Sequence, residues 1–249
     1  MATGAGKTIT ALYLAIRLFE NKERLGLVVV CPYINLANQW LGEMRKFGIE
    51  PIACFGSLSK WQARLRDAYL EVQLGTSKFL AAVVTNKTFL SDVFQASIHP
   101  ESFDHLLVAD EVHNLGAREL AKRLNPKLKF RLGLSATPER HRDLEGTQTL
   151  LDYFGDIVYE FGIKDAIDND VLSRYFYYPV LVDLTESESE TYWRLSEEIS
   201  RLYPRRKKDA GEDDPVRKRL DSLLIERARL LASAANKLLK LIEEPPDKT

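Results

Sequence analysis

Short apolar runs that alternate with helix-length amphipathic stretches constrain this chain more than any other feature of its sequence. The runs are Leu25–Cys31 (LGLVVVC), Pro51–Phe55 (PIACF), Phe79–Thr85 (FLAAVVT), Leu106–Asp110 (LLVAD) and Phe130–Ser135 (FRLGLS). Each is continuously apolar instead of alternating, which is the pattern of a parallel strand covered on both faces. Between them lie candidate helices over Lys7–Phe19, Ile34–Phe47, Lys60–Val72 and Lys87–Phe94. Strand, helix and strand repeated in this way require right-handed crossovers, and hence an α/β fold with a mostly parallel sheet and helices on both of its faces. At about 150 residues per domain, the 249 residues make one large domain with an appendage.

The appendage begins where the pattern changes. We expect the α/β domain to span residues 1–172 and a connecting strand with a two-helix extension to span 173–249. Arg174–Leu184 (RYFYYPVLVDL) reads as extended, with Pro179 better suited to an edge strand than to a central one. A helix then starts at Thr185, its N-cap, with Glu188 three residues on as the capping-box partner. Its apolar stripe is Tyr192, Leu195, Ile199 and Leu202. After a charged loop, RRKK then DAGEDD, a second long helix carries Leu220, Leu224, Ala228, Leu231, Ala235, Leu238 and Ile242 on one face and stops at Pro245 and Pro246. That stripe is either a face packed on the chain itself or a docking face for a partner.

Chemistry enters at the N-terminus. Residues 2–8 read Ala-Thr-Gly-Ala-Gly-Lys-Thr, the end of the phosphate-loop pattern GxxxxGK[ST], at the start of the first candidate helix. Thr3, Gly4, Ala5, Gly6, Lys7 and Thr8 form the candidate nucleotide-binding set. Small residues let backbone N–H groups wrap a phosphate at a helix N-terminus. Lys7 then suits the β and γ phosphates of ATP, and the Thr8 hydroxyl suits Mg²⁺. The plain alternative is a glycine-rich turn before a helix. The first position of the pattern falls on Met1, so the strand that feeds such a loop is expected outside this sequence.

Two further motifs follow in order. Asp110-Glu111-Val112-His113 closes an apolar run, and the carboxyl end of a strand is where an open parallel sheet builds its site. Asp110 suits Mg²⁺, directly or through water, and Glu111 suits the group that positions an attacking water. Ser135-Ala136-Thr137-Pro138 closes the next run, 135 − 110 = 25 residues later. Its hydroxyls are in place to bond the acidic box and report the state of a γ phosphate. Taken singly, the first is also a charged turn and the second an ordinary turn before proline. All three motifs in this order are far more specific.

Charge and cysteine usage narrow the rest. Thirty-five basic and 36 acidic residues give a net charge of -1, which excludes a tail-driven polybasic nucleic-acid binder. Cys31 and Cys54 are both in apolar runs and form no CxxC pair, which excludes a disulfide framework or zinc ribbon and suits a reducing compartment. The N-terminus lacks the pattern of a signal peptide, and no run of about 18 apolar residues is long enough to cross a membrane. An intracellular, cytoplasmic protein with no membrane partner is expected.

On these residues the chain resembles the superfamily 2 helicases and translocases, specifically their first RecA-like motor domain. ATGAGKT is similar to motif I, DEVH to motif II and SAT to motif III, and the likeness extends over roughly residues 1–185. Val30-Cys31-Pro32-Tyr33 with Leu36, Gln39 and Trp40 is similar to motif Ia, and Val83-Val84-Thr85-Asn86 to the threonine segment that touches the nucleic-acid backbone. DEVH with SATPER looks closer to the DEXH branch of repair helicases and restriction or phage-defence motors.

The resemblance implies catalytic roles for Lys7, Asp110 and Glu111, metal binding by Thr8 and Asp110, and coupling through His113, Ser135 and Thr137. It also implies a nucleic-acid face of Pro32, Tyr33, Gln39, Trp40, Thr85 and Asn86, with DNA favoured over RNA. The residues themselves leave Trp40 more readily in the core, and Gln39 and Thr85 equally as ordinary surface. The family's adenine-recognition motif, second RecA-like lobe and arginine finger are not in this sequence, and such a finger is worth about 10³ or more in rate in related enzymes. The expected function is thus the ATP-binding lobe of a nucleic-acid-dependent ATPase, feeble alone. The rival readings are a catalytically silent interaction fragment and, disfavoured by SATP, a phosphate-loop kinase.

Overall fold

The computed structural model describes residues 4–137, 143–175, 179–205 and 214–243, and contacts divide the chain into two compact units, Met1–Arg174 and Tyr175–Thr249. The first unit contains a five-stranded sheet of β1 (Leu25–Cys31), β2 (Ile52–Cys54), β3 (Phe79–Thr85), β4 (Asp104–Ala109) and β5 (Phe130–Gly133). Every pairing is parallel and the order is β2-β3-β1-β4-β5. Neighbours that are not consecutive in sequence require crossovers, and helices supply them.

Helices α1 (Lys7–Glu20) and α2 (Ile34–Lys46) cover one face, and α3 (Leu58–Leu74), α4 (Asn86–Phe89), α5 (Asp92–Ser97), α6 (Arg118–Ala121) and α7 (Leu144–Phe154) the other. The strands alternate between these layers. Val28, Val30, Leu80, Ala82, Val84, Leu107 and Ala109 pack with Trp61, Leu65, Tyr69, Phe94 and Leu150. Leu27, Val29, Cys31, Ala81, Val83, Leu106 and Val108 pack with Ala11, Leu12, Ala15, Trp40 and Met44. All seven residues of β1 are buried, so its apolar run has no polar position because neither face meets water. A short helix, α8 (Ile163–Asp168), completes this unit.

The second unit contains α9 (Glu186–Leu202), α10 (Pro215–Ala232) and α11 (Ala235–Glu243). Thr185 caps α9 as expected: its hydroxyl accepts from Glu188 N–H, and the Glu188 carboxylate accepts from Thr185 N–H at 2.9 Å. Leu195 and Ile199 of α9 pack on Leu220 and Leu223 of α10.

Three expectations are corrected. Lys87–Phe94 is not one helix but α4 and α5, broken at Leu90–Ser91, where the Ser91 hydroxyl accepts from Phe94 N–H and caps a new start. The described residues of Arg174–Leu184 join no ladder. The helix expected through Ile242 is interrupted at Ser233, and its stripe is buried only near Leu220, since Leu231, Leu238 and Ile242 are exposed. No described helix is long and apolar enough to cross a membrane.

Candidate nucleotide site and its acidic box

Helix α1 ends at Glu20, a few residues before β1 begins, and packs back along the sheet. Over 14 residues it spans about 21 Å, so its N-terminus lies at the carboxyl edge of the strands. There Gly4 and Gly6 have φ of +80° and +79°, the left-handed region that glycine adopts without steric cost. A Cβ at Gly6 would meet no atom within 4 Å, so backbone conformation, not crowding, is what requires glycine there. Two left-handed residues one apart ahead of a helix are a backbone form that can gather N–H groups into an anion-binding concavity. Lys7 and Thr8 open α1 and are half-buried. Thr3 lies outside the described residues, as does Pro138.

The acidic box sits at the same edge, directly after β4. Asp110 is 9% exposed, and its backbone N–H donates to Val30 O at 2.9 Å, continuing the β1–β4 ladder. Its carboxylate is held from two sides: the Trp40 indole Nε1–H donates to Oδ2 at 2.8 Å, and Glu111 N–H donates to Oδ1 at 3.0 Å. Burial, and after it the Asp110 charge, push the neighbouring Cys31 thiol above its usual range, so Cys31 stays a neutral core group. Burial likewise raises the Cys54 thiol to about 12.

Glu111 adopts φ +46° and ψ +54°. A non-glycine residue in the left-handed region is strained, and such strain persists where surrounding bonds over-determine it. Here Leu134 N–H donates to Ala109 O at 2.8 Å and Val112 N–H donates to Leu134 O at 2.9 Å, gripping the chain on both sides of the turn. Asn114 adds two bonds to Glu111 O, from its backbone N–H at 2.9 Å and from Nδ2 at 3.1 Å.

Beyond the turn, a line of polar groups joins the acidic box to the end of β5. Asn114 Nδ2 also lies 3.3 Å from His113 Nε2, which therefore accepts and leaves the ring proton on Nδ1. His113 Nδ1–H then donates to Ser135 Oγ at 3.2 Å, and Thr137 N–H donates to the same oxygen at 3.0 Å. Glu111 Oε2 lies 3.6 Å from His113 Nδ1. Glu111, His113, Ser135 and Thr137 are thus brought together from two strand ends.

The residues assigned to a nucleic-acid face divide. Tyr33 is 64% exposed, Gln39 is exposed, and Pro32 and Asn86 are half-buried. Trp40 is not on that face: it is 2% exposed in the core between α2 and the sheet, so its ring cannot stack on a base. Thr85 is also corrected, being 6% exposed with its hydroxyl turned to cap α4 through Thr88 N–H.

Sequence reasoning missed Asn114, which fixes both the strained turn and the imidazole tautomer. Its place just after DEVH in a polar turn was the available signal. Among the described residues no three His, Cys, Asp or Glu side chains gather to hold a metal by themselves. Mg²⁺ commonly needs only one or two carboxylates with nucleotide phosphates, and the Asp110 carboxylate and Thr8 hydroxyl are oxygen donors of the type it takes.

A glycine-shaped loop opening α1, an acidic box after β4 and a hydroxyl pair after β5 on a parallel sheet define the first RecA-like domain of a superfamily 2 helicase-type protein. Residues 1–140 match the family described as Type III restriction enzyme, res subunit, and the chain belongs to that family, within the restriction and defence branch. It is 28% identical over 191 residues to the Type I restriction enzyme EcoAI endonuclease subunit of Escherichia coli, covering 74% of this chain and 21% of that protein.

Two solved structures share the fold. One is a nuclease-deletion mutant of the Type ISP restriction-modification enzyme LlaGI in complex with a DNA substrate mimic, with TM-score 0.53, 16% identity, and 84% of this chain and 20% of that one covered. The other is the Pyrococcus furiosus Hef helicase domain, with TM-score 0.51, 21% identity, and 81% and 42% covered. The chain spans about a fifth of the length of the restriction enzymes it matches.

Proposed function

We propose that this chain is the ATP-binding lobe of a DNA-dependent ATPase, working against a second RecA-like lobe as a translocating or unwinding motor. The observation that carries the reading is the line of polar groups at two strand ends: Glu111 Oε2 lies 3.6 Å from His113 Nδ1, and His113 and the Thr137 N–H both hydrogen-bond Ser135 Oγ. A charged turn with no catalytic duty has no need to hold a carboxylate in a strained backbone and wire it to the next strand end.

In this reading the N–H groups of Gly4 to Thr8 and the Lys7 ammonium cradle the phosphates of ATP. Thr8 and Asp110 would hold Mg²⁺ together with the nucleotide, and the ion would supply neutralisation of phosphate charge. Glu111 holds the attacking water, and His113 passes the change in charge at its carboxylate to Ser135 and Thr137. Tyr33, Gln39 and Asn86 contact the DNA backbone, a contact that carries no sequence information. The restriction enzyme solved with a DNA substrate mimic supports DNA as the partner.

The test is DNA-stimulated ATP hydrolysis by the full-length protein. Lys7→Ala and Glu111→Gln should each abolish it, and wild-type turnover in either variant would remove the assignment.

A further inference from the structure

We propose that Trp40 is a positioning residue of the nucleotide site, its indole N–H aiming the Asp110 carboxylate toward magnesium and tying that acid to helix α2. The proposal rests on the ATP-binding reading above. Trp40 and Asp110 are 70 residues apart in sequence. They meet because α2 follows β1, and β1 is the strand hydrogen-bonded to β4.

An indole has one donor and no acceptor, so a tryptophan this deeply buried must find an oxygen. The oxygen it finds is Asp110 Oδ2 at 2.8 Å, while Oδ1 takes the Glu111 N–H. Each carboxylate oxygen accepts two hydrogen bonds at most in its plane. One place on each is therefore occupied by the chain, which fixes the plane of the group and leaves the remaining lone pairs for a cation or its water.

With Asp110 9% exposed and Trp40 2% exposed, water cannot readily replace the indole. Loss of the donor would leave the carboxylate either under-bonded or free to rotate, and a buried under-bonded charge is costly. The contact also has a direction along the fold. Trp40 neighbours exposed Gln39 on α2, and exposed Tyr33 forms the N-cap of that helix. A displacement of α2 therefore moves the donor on Asp110. If Trp40 were core filling alone, its loss would change stability and leave the metal dependence of nucleotide binding untouched.

The experiment separates these. Trp40→Phe keeps an aromatic ring and removes the N–H. In the purified chain, binding of a non-hydrolysable ATP analogue is titrated with Mg²⁺ and, separately, measured in EDTA. The variant should need about tenfold more magnesium for half-maximal enhancement, the scale of one hydrogen bond to a charged group, with binding in EDTA unchanged.

A second measurement needs no variant fold. In the wild-type chain saturated with the analogue, magnesium should shift the ¹⁵N-indole resonance of Trp40 and leave that of Trp61, packed on the opposite face of the sheet, in place. Wild-type magnesium dependence in Trp40→Phe, or a Trp40 resonance indifferent to magnesium, overturns the proposal while leaving the ATP reading standing. A wild-type chain that binds no nucleotide overturns both.

Discussion

Glu111 offers a sharp test of whether the acidic box stores backbone strain, because the two substitutions that remove its carboxylate differ in what they do to the backbone. Its φ of +46° and ψ of +54° place a residue with a Cβ in the left-handed region, at a cost of about 1–2 kcal/mol. Glu111→Gln keeps that cost. Glu111→Gly removes it but gives the unfolded chain more freedom to lose, worth about 0.4–1 kcal/mol in the other direction. The bonds that grip the turn, from Val112 N–H, Asn114 N–H and Asn114 Nδ2, all involve backbone acceptors and survive in both.

The glycine variant should therefore be more stable than the glutamine variant by about 0.5–1 kcal/mol. For a chain of this size that is a rise of about 1–4 °C in Tm. Thermal unfolding followed by circular dichroism measures it, with urea midpoints as a check. DNA-stimulated ATP hydrolysis should be absent in both. A glycine variant that melts below the glutamine variant would show that the turn is unstrained, and would refute the argument that a functional constraint holds Glu111 there.

Four further outcomes are expected. Gly26→Ala should destabilise the chain by about 1–3 kcal/mol in urea unfolding, since its Cβ would lie 2.6 Å from His105 Cδ2 and 2.8 Å from His105 Nε2, on a ring fixed by Tyr69 OH at 2.7 Å and Phe103 O at 2.8 Å. Burial, opposed by the bond to Phe103 O, lowers the His105 pKa below its ordinary 6.5. The unfolded chain then binds the extra proton first, so this contribution to stability is complete above 6.5 and fades as pH falls from there toward the folded value; in His105→Gln the urea midpoint should lose that part of its pH dependence relative to wild type. Thr185→Ala removes a capping box and should cost α9 about 1 kcal/mol, read as reduced amide protection in that helix. The purified chain should hydrolyse ATP feebly even with DNA present, and robust turnover would contradict the need for an opposing lobe.

What the sequence disclosed follows from how each element is stabilised. β1 and β3 were legible to the residue, because a strand buried on both faces has no choice but a continuous apolar run. The glycine turn before α1, DEVH after β4 and Ser135 to Thr137 after β5 stand at the helix start and strand ends where the sequence puts them, because each is a short local pattern. Features set by tertiary contact were not. The α4–α5 break depends on the Ser91 hydroxyl winning a backbone N–H, and α7 was overlooked although Asp143 caps its start and Gly155 follows its end. The long stripe from Leu220 to Ile242 suggested one packed face, but amphipathic spacing cannot say how far along a helix its partner extends. Trp40 was assigned by resemblance to a nucleic-acid surface; its partner, Asp110, becomes visible only once β1 and β4 are neighbours.

The central claim is that the carboxyl edge of this sheet is an ATP site, and equilibrium binding tests it most directly. Titration of the purified wild-type chain and of Lys7→Ala with a non-hydrolysable ATP analogue and magnesium should give saturable binding that the substitution abolishes. Absence of binding in the wild-type chain, or undiminished binding in Lys7→Ala, would contradict it.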